Sequence, residues 1–473
     1  MNFEAIIGLE IHVQMRTESK MFSSAPVTFG KTPNSFTSPL DLAFPGALPI
    51  VNKQAVINAI RVCNALHMEI DDLLVFERKN YFYSDLPKGY QITQQFRPIG
   101  KNGYLTINLN GVDKKICIKR LHLEEDTCKQ HHTNDVTLLD YNRSGIPLLE
   151  IVSEPTIKSG LEAVKYVDEI RSIVSFLGVS NGKMEEGSLR VDVNVSLINI
   201  ESGIAGTKVE IKNLNSFSNI QKAIDYEIKR QSNLFDSGQK VKQETLKYDE
   251  SKKKTIPMRI KTSDVDYKFF TDPNIVSVKL SKEFIDETIK TSPELAKAKY
   301  FRYRELGLSD YDCALLTSEK DVYYYFELSM SKCSPKLLAN WINGEIQSYL
   351  NKTNASIKDF PIKSDDLCEL IQFIESGEIS NNQAKLIFNE MLNTGKEAKT
   401  IIKDMGLSQE SVINVLVSVV KQVLDNNTQA INDYKAGKNR AVGYLVSQVM
   451  KFTNGKANPS ITNKLIIEEL QRR

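Results

Sequence analysis

The chain has 473 residues, of which 41% are hydrophobic and 25% are charged, and its 61 basic and 59 acidic residues give a net charge of +2. This composition is typical of a globular protein, and because the length exceeds what one hydrophobic core supports, about three domains are expected. The balanced charge excludes a polycation that coats nucleic acid indiscriminately, so any contact with nucleic acid must be local.

The first predicted element is a strand over residues 3–14, where apolar side chains alternate with other residues. Glu10 and His12 lie on the face opposite the apolar one, about 7 Å apart along the strand, so a carboxylate and an imidazole can converge on one cation or one substrate. A solvated outer face is the alternative, because antiparallel sheets commonly expose a polar side.

More short strands follow, separated by Gly and Pro residues. Strands are predicted over 104–109, 116–123, 189–197 and 208–212, and a helix over 161–176. If these strands join the first one in a single sheet, its polar face also carries Asp192 and Glu210.

Acidic residues are concentrated at the end of the predicted strand over 116–123. Residues 124–126 are three consecutive acids, and a second apolar run ends at Glu150. Adjacent carboxylates repel unless a cation lies among them. Magnesium takes oxygen ligands and bridges carboxylates to phosphates, whereas manganese or zinc also accepts an imidazole such as that of His12. A site for a metal ion and phosphate is therefore expected.

Helical spacing replaces the strand pattern from residue 292 onward. Ser292 is a candidate N-cap with Pro293 in the first turn, and Ser408 is a candidate N-cap for a last helical segment. From residue 406 to the end, nine basic and five acidic residues give a local charge of +4. The cations considered for RNA contact are Lys438, Arg440, Lys451 and Lys456. Solvated lysines on an ordinary helical surface are the alternative.

Several common signatures are absent from the sequence. It contains no GxxxxGK[ST] phosphate loop, no GxGxxG and no GxSxG. Its six cysteines show no CxxC spacing, which argues against disulfides and a thiolate zinc site. No run of about 18 uncharged apolar residues occurs, so no contact with a membrane and a cytoplasmic location are expected.

Longer stretches of the sequence are specific enough to indicate a family. They span residues 8–13, 78–83, 85–91, 121–126, 142–143, 147–155, 184–196 and 212–217, and later 339–345, 436–440 and 457–459. Through them the chain, over essentially its whole length, resembles the B subunits of the bacterial aspartyl/glutamyl-tRNA(Asn/Gln) amidotransferases.

The resemblance implies an α+β protein with three parts. A cradle-like domain with a mixed β-sheet and the kinase/transamidase site would span residues 1–291, an all-helical domain 292–405, and a small helical tail domain that contacts tRNA 406–473. The implied activity is ATP-dependent activation of the side-chain carboxylate of Glu-tRNA(Gln) or Asp-tRNA(Asn), followed by amidation with ammonia to Gln-tRNA(Gln) or Asn-tRNA(Asn). The implied partners are the amidase A subunit, which would release the ammonia from glutamine, and the small C subunit, in a heterotrimer that binds the misacylated tRNA.

The resemblance also implies roles for individual residues. Converting a carboxylate to an acyl phosphate creates a good leaving group, and the transfer needs a cation to neutralise phosphoryl oxygens. His12, Glu125 and Glu150 are the implied metal ligands. Glu10 and Glu210 would place bound water or a second ion. Mg²⁺ is the expected metal, with Mn²⁺ as the alternative.

Three cations face the same way as these acids and are candidates for holding the phosphates of ATP. They are Arg190, Lys208 and Lys212. Ordinary ion pairs with Asp192 and Glu210 are the alternative.

The loop after the first strand departs from the family pattern. Many members carry CxC and CxxC there and bind zinc. The corresponding residues here are Ser23, Ala25, Ser38 and Asp41. No structural zinc is therefore expected, and hydrogen bonds and apolar packing would order the loop instead. The apolar candidates are Phe22, Phe29, Leu42 and Phe44.

Two other functions remain open from the residues alone. A carboxylate–amine ligase that acts on a small acid would share the acidic, ATP-using site but would not need the basic tail. A non-catalytic tRNA-binding scaffold would need the tail but not the acidic site.

Overall fold

The computed structural model describes residues 3–260, 266–405, 409–435, 440–453, 457 and 459–473. The chain divides into two compact units, Met1–Ala296 and Lys297–Arg473. The described strands lie in the first unit and the second unit is helical, so the predicted α+β class is confirmed. Among the described residues, none of the helices is both long and apolar enough to cross a membrane.

The strands of the first unit are named in chain order. They are β1 (Phe3–Gln14), β2 (Glu69–Ile70), β3 (Leu73–Leu74), β4 (Glu77–Asn80), β5 (Tyr90–Thr93), β6 (Gly100–Leu109), β7 (Val112–Glu125), β8 (Lys129–His132), β9 (Thr137–Asp140), β10 (Pro147–Ser153), β11 (Leu189–Asn199), β12 (Val209–Leu214), β13 (Glu244–Asp249), β14 (Lys254–Ile260), β15 (Phe270–Thr271) and β16 (Val278–Lys279). The four strands predicted after the first one correspond to β6, β7, β11 and β12.

One large sheet organises this unit. Within the described residues its order is β14, β13, β12, β11, β1, β10, β7, β6 and β2, with β12 and β13 parallel and the other neighbours antiparallel. Smaller sheets join β15 to β4 and β5, β16 to β3, and β8 to β9. Because β1 lies in the middle of the large sheet, polar side chains of β1 can meet those of strands on both sides.

Helices cover the apolar face of the large sheet. They are α1 (Lys53–Ala65), α2 (Gly160–Phe176) and α3 (Phe217–Asp236), and each begins at a side-chain N-cap, Asn52, Ser159 and Ser216 respectively. The alternating apolar residues of β1 join the core that these helices complete. The opposite face of β1, which carries Glu10 and His12, is only half-buried.

The last helix of the first unit is α4 (Lys282–Lys290). The N-cap predicted at Ser292 is wrong, because the next helix begins at Ala296. The Ser292 amide donates to the Ile289 carbonyl (3.0 Å), and the Ser292 hydroxyl donates to the Thr288 carbonyl (3.1 Å). Ser292 therefore closes the C-terminal end of α4.

The helices that follow are named in the same order. They are α5 (Ala296–Glu305), α6 (Asp310–Leu316), α7 (Lys320–Glu327), α8 (Pro335–Trp341), α9 (Gln347–Thr353), α10 (Ser364–Glu375), α11 (Asn381–Thr394), α12 (Ala398–Asp404), α13 (Gln409–Asp425), α14 (Thr428–Lys435), α15 (Arg440–Phe452) and α16 (Pro459–Arg472). A π-helical turn, Ile342–Ile346, joins α8 to α9, and a 3-10 turn, Ile357–Asp359, follows α9.

Among the described residues of the second unit, apolar side chains form two clusters. One includes Tyr303, Trp341 and Phe388, and the other joins α13 to α16 through Leu424, Leu445 and other residues. The division into three domains at residues 291 and 405 stays a prediction. The predicted N-cap Ser408 lies outside the described residues.

Candidate active site

Strand register assembles a row of polar side chains across the half-buried face of the large sheet. On β1, His12 lies opposite Arg190 of β11 on one side and Glu150 of β10 on the other. Glu150 in turn lies opposite His122 of β7. Directly paired residues of antiparallel strands have Cβ atoms about 5 Å apart, so four adjacent strands bring these side chains together.

A group of possible metal ligands lies within this row. One atom each from His12, Glu124 and Glu150 lie within 4.8 Å of one another. The His12 Nε2 atom is 3.6 Å from a Glu150 carboxylate oxygen and 3.8 Å from one of Glu124. One imidazole and two carboxylates so arranged can bind a divalent cation.

His122 contacts the same two carboxylates. Its Nε2 atom is 2.9 Å from Glu150 and 3.7 Å from Glu124. Burial alone lowers the pKa of His122, but the charges of Glu150 and Glu124 and the hydrogen bonds to them outweigh burial and raise the pKa to about 9. For the same reason the pKa of His12 is raised in spite of burial. The two imidazoles hold the pKa of Glu150 well below its ordinary value, although burial opposes this.

A second acidic group lies one step along β1. One carboxylate oxygen each from Glu10, Asp192 and Glu210 lie within 4.8 Å of one another. Burial raises the pKa of Glu10, and the nearby charges of Glu150 and Asp192 raise it further. The Lys212 ammonium lies 3.0 Å from Asp192 and 3.1 Å from Glu210, so this group already contains a cation.

The three candidate phosphate-binding cations differ in their surroundings. Lys212 makes the ion pairs with Asp192 and Glu210 that were considered as the alternative, and despite burial these acids raise its pKa. Arg190 pairs with an acid that was not considered, because its guanidinium donates to Asp126 at 2.7 Å. Lys208 precedes β12 and is exposed.

Glu125 does not join the group predicted for it, and Glu124 takes that place. Successive residues of a strand project to opposite sides, so only one of two neighbouring acids can face His12. Glu125 forms a buried ion pair with Lys88 and accepts a hydrogen bond from the Ile92 amide at 3.0 Å. Glu124 lies two residues after His122 on β7, so their side chains face the same way, and this spacing is the signal in the sequence that pairs them.

An ion pair lies within the loop after β1. The ammonium of Lys20 contacts the carboxylate of Asp41 at 2.8 Å, and the two side chains are 0% and 2% exposed. Asp41 also accepts hydrogen bonds from the Ser38 amide (2.8 Å) and the Ser23 hydroxyl (3.4 Å). The loop is thus ordered by hydrogen bonds, as expected, but around a buried charge pair that was not predicted.

The predicted apolar packing of this loop is only partly correct. Phe22 is buried, whereas Phe29 and Phe44 are exposed and Leu42 lies at the limit of exposure. Polar contacts therefore contribute more to the order of this loop than its aromatic side chains.

In the tail, Arg440 and Lys451 are exposed at the two ends of α15. Lys438 and Lys456 lie outside the described residues. Arg440 and Tyr444 line an open cavity of about 520 Å³ together with residues of α14. The cations of α15 are thus accessible to a large partner.

The fold and the site together define a catalytic domain on an antiparallel-rich sheet, followed by a helical region. The family described as "GatB/GatE catalytic domain" matches residues 5–286, and the family described as "GatB domain" matches residues 324–470. Together these two matches cover most of the chain.

Curated relatives match the whole chain. The B subunits of the aspartyl/glutamyl-tRNA(Asn/Gln) amidotransferases of Bacillus cereus and Bacillus mycoides are 46% identical to it over 475 residues, covering 100% of both chains. A Bacillus cytotoxicus protein of the same name is 46% identical over 476 residues, again covering 100% of both. The chain belongs to the family of amidotransferase B subunits, as the sequence motifs indicated.

Proposed function

We propose that this chain converts the side-chain carboxylate of Glu-tRNA(Gln) or Asp-tRNA(Asn) to an amide, using ATP and ammonia. The observation that carries the proposal is the group of His12, Glu124, Glu150 and His122 on the face of a sheet that matches the catalytic-domain family. A scaffold that only binds tRNA has no need of such a buried group of charges, because burying charge is costly.

The reaction has two steps. A carboxylate oxygen of the aminoacyl group attacks the γ-phosphorus of ATP, and ADP leaves. The ammonia nitrogen then attacks the carbonyl carbon of the acyl phosphate, phosphate leaves, and the nitrogen loses a proton. The products are Gln-tRNA(Gln) or Asn-tRNA(Asn), ADP and phosphate, and the enzyme is a carbon–nitrogen ligase.

The first acidic group suits a divalent cation better than the second. His12, Glu124 and Glu150 offer one nitrogen and two oxygen donors close together. The group of Glu10 and Glu210 already contains the Lys212 ammonium, so these two acids would place water or a second ion only if that ammonium moved. We assign Mg²⁺ to the first group because its two carboxylates supply the oxygen ligands that Mg²⁺ prefers, and Mn²⁺ is the alternative because it also accepts the imidazole of His12. When bound, the cation neutralises the charge of phosphoryl oxygens.

Cations of the chain would hold the phosphates. Arg190 and Lys212 lie on the same sheet face as the acids and can donate charge-assisted hydrogen bonds to phosphate oxygens. Both must exchange part of their present ion pairing for the phosphate. Lys208 is exposed nearby and needs no such exchange to reach a phosphate.

The proposed assembly follows from the need for a source of ammonia. Ammonia would come from glutamine through the amidase A subunit, and the small C subunit would complete a heterotrimer. Arg440 and Lys451, with Lys438 and Lys456 close to them in the sequence, would contact the tRNA body through phosphates. The tRNA substrate implies work in the cytoplasm.

A reconstitution tests this function. The purified complex is given ATP, Mg²⁺, each misacylated tRNA and either glutamine or ammonium chloride, and the amino acid released from the tRNA is identified. Ammonium chloride bypasses glutamine hydrolysis, so it isolates the step assigned to this chain.

Matched variants locate the chemistry. Glu124→Gln removes a proposed ligand and should lower amidation with either nitrogen donor at least 100-fold, about the loss expected for a group that acts on transition-state charge. Glu4→Gln on the same sheet, whose side chain is 48% exposed in a surface pair with Lys158, should be silent. Full amidation by Glu124→Gln would contradict the assignment.

A further inference from the structure

The segment between β4 and β5, residues 81–89, carries two unusually exposed aromatic side chains. Phe82 is 98% exposed and Tyr83 is 60% exposed. We refer to residues 81–89 as the flap. Its tip presents a fully solvated phenylalanine, and apolar side chains exposed together in this way commonly mark a surface that meets a partner.

The flap is held in place by its own hydrogen bonds. The Tyr81 amide donates to the Gly89 carbonyl (3.1 Å) and the Leu86 amide to the Tyr83 carbonyl (3.1 Å), while the Leu86 side chain is buried. The Cys128 amide donates to the Asp85 carbonyl at 3.1 Å, which ties the flap to the chain just after β7. The exposure of the aromatic tip is therefore a property of an ordered turn.

The strand that follows the flap lies against the acidic site. The Thr93 hydroxyl of β5 donates to a carboxylate oxygen of the proposed ligand Glu124 at 3.3 Å, and Lys88, near the end of the flap, forms the buried ion pair with Glu125. Burial raises the pKa of Tyr81, and the negative charges of Asp85, Glu124 and Glu125 raise it further. Tyr81 is the first residue of the flap, and the two residues that follow it are exposed.

We propose that Phe82 and Tyr83 form a stacking platform for the base of the 3′-terminal nucleotide of the aminoacylated tRNA. The proposal rests on the function proposed above. The amino acid is esterified to the terminal ribose, so when its side-chain carboxylate reaches the acidic site, the terminal base must lie within about one nucleotide of it. Unpaired bases are commonly bound by stacking on aromatic side chains.

The charges beside the flap favour RNA over a protein partner. The Lys79 ammonium lies 4.9 Å from the centre of the Tyr267 ring, and the Arg78 guanidinium lies 4.0 Å from that of Tyr90. Cations alternating with aromatic rings are typical of surfaces that bind single-stranded nucleic acid. Lysine is depleted from the centres of protein–protein interfaces whereas arginine is enriched there, and Arg78 is already paired with the buried Asp272, so Lys79 is the cation that favours RNA.

The test combines a side-chain change with a change in the RNA, in the complete amidotransferase complex. Phe82→Ala should raise the KM for Glu-tRNA about 5- to 150-fold, the range that follows from the loss of one base stack, and leave kcat at saturating tRNA within about twofold. Phe82→Tyr keeps a ring and should restore the wild-type KM. Phe29→Ala, which removes a ring that is 72% exposed elsewhere in the same unit, is the matched control and should have no effect.

The second arm measures binding of uncharged tRNA with and without its 3′-terminal nucleotide. Removing that nucleotide should weaken binding to the wild type but not further weaken binding to Phe82→Ala. Independent, additive losses would overturn the platform, as would an unchanged KM for Phe82→Ala. Loss of the amidase from the Phe82→Ala complex would overturn it in favour of a protein interface. A wild-type complex that amidates no tRNA would overturn the proposed function itself, a result that does not depend on any variant.

Discussion

Replacing Asp41 with Asn should destabilise the loop after β1 because it leaves a buried ammonium without its counter-ion. In the wild type, Lys20 is fully buried and its ammonium lies 2.8 Å from Asp41. A further hydrogen bond joins the same ammonium to the Tyr141 carbonyl at 3.2 Å. After the substitution, only neutral oxygens would surround the charge.

The expected loss is about 3 kcal/mol. Breaking a buried pair by removing one partner typically costs about 3–5 kcal/mol. The lower end applies here, because the Asn oxygen can still accept a hydrogen bond from the Ser38 amide and the Tyr141 carbonyl still faces the ammonium. Replacing both members, as in Lys20→Met with Asp41→Leu, removes both buried charges and should cost less than Asp41→Asn alone.

Native-state amide exchange of peptides covering residues 16–50 measures this effect locally, which suits a chain of two units that need not unfold together. A loss of about 3 kcal/mol corresponds to exchange about 150-fold faster. Asp72→Asn, which breaks a half-exposed pair with Lys279, is the control and should change exchange by less than about threefold. The stabilising role assigned to the Lys20–Asp41 pair is refuted if Asp41→Asn behaves like this control, or if the double variant is less stable than the single one.

Three further predictions follow from other parts of the structure. His122→Ala removes the imidazole that contacts both proposed carboxylate ligands, and it should weaken Mn²⁺ binding, measured by calorimetry, about 10- to 100-fold. His122→Asn should recover part of this affinity. Unchanged affinity in His122→Ala would contradict a role of His122 in orienting the two carboxylates. Burial raises the pKa of Glu327, but hydrogen bonds from neighbouring cations outweigh burial and lower the pKa overall. The ionised Glu327 therefore stabilises the folded protein fully above the ordinary pKa near 4.5, and this stabilisation is lost as the pH falls through the lower pKa of the folded state. Urea unfolding followed by Trp341 fluorescence should therefore show Glu327→Gln about 2 kcal/mol less stable at pH 7, with a smaller difference at acidic pH; a difference independent of pH would argue against it. Reversing charge at Arg440 and Lys451 together should weaken tRNA binding at least tenfold at low salt while ATP turnover is unchanged, and equal tRNA affinity would favour the ligase for a small acid.

Much of the first unit follows from side-chain alternation. The pattern of residues 3–14 predicts β1 and places Glu10 and His12 on one face, as observed. The sequence cannot give the register between strands, which decides that Glu150 lies opposite His12. That register depends on loops and on core packing between segments far apart in the chain, so only the fold or a family resemblance brings the two side chains together.

The loop after β1 shows a different limit. Nothing in the sequence pattern distinguishes Asp41 from other polar loop residues or Lys20 from an ordinary surface lysine. Burial of Lys20 arises from tertiary contacts, such as the hydrogen bond from the Met21 amide to the Gly145 carbonyl (2.7 Å). Propensity and periodicity carry no information on such long-range burial. The limit at Ser292 is local instead, because a serine between two helices can cap the next helix or, as here, donate its hydroxyl to a carbonyl of the preceding helix.

The position of Glu124 depends on an irregularity in β7. Residues 116 and 118 are buried, and after the exposed Lys119 the buried apolar residues are Leu121 and Leu123. The register between β7 and β10 shifts at this point, so one extra residue changes the numbering of the core face from even to odd. Without it, His122 and Glu124 would face the core and Glu125 would face His12. The spacing of Ile118 and Leu121 shows this change in the sequence itself, since two core residues three apart cannot share one face of a regular strand. A single bulge therefore decides which of two adjacent carboxylates faces His12.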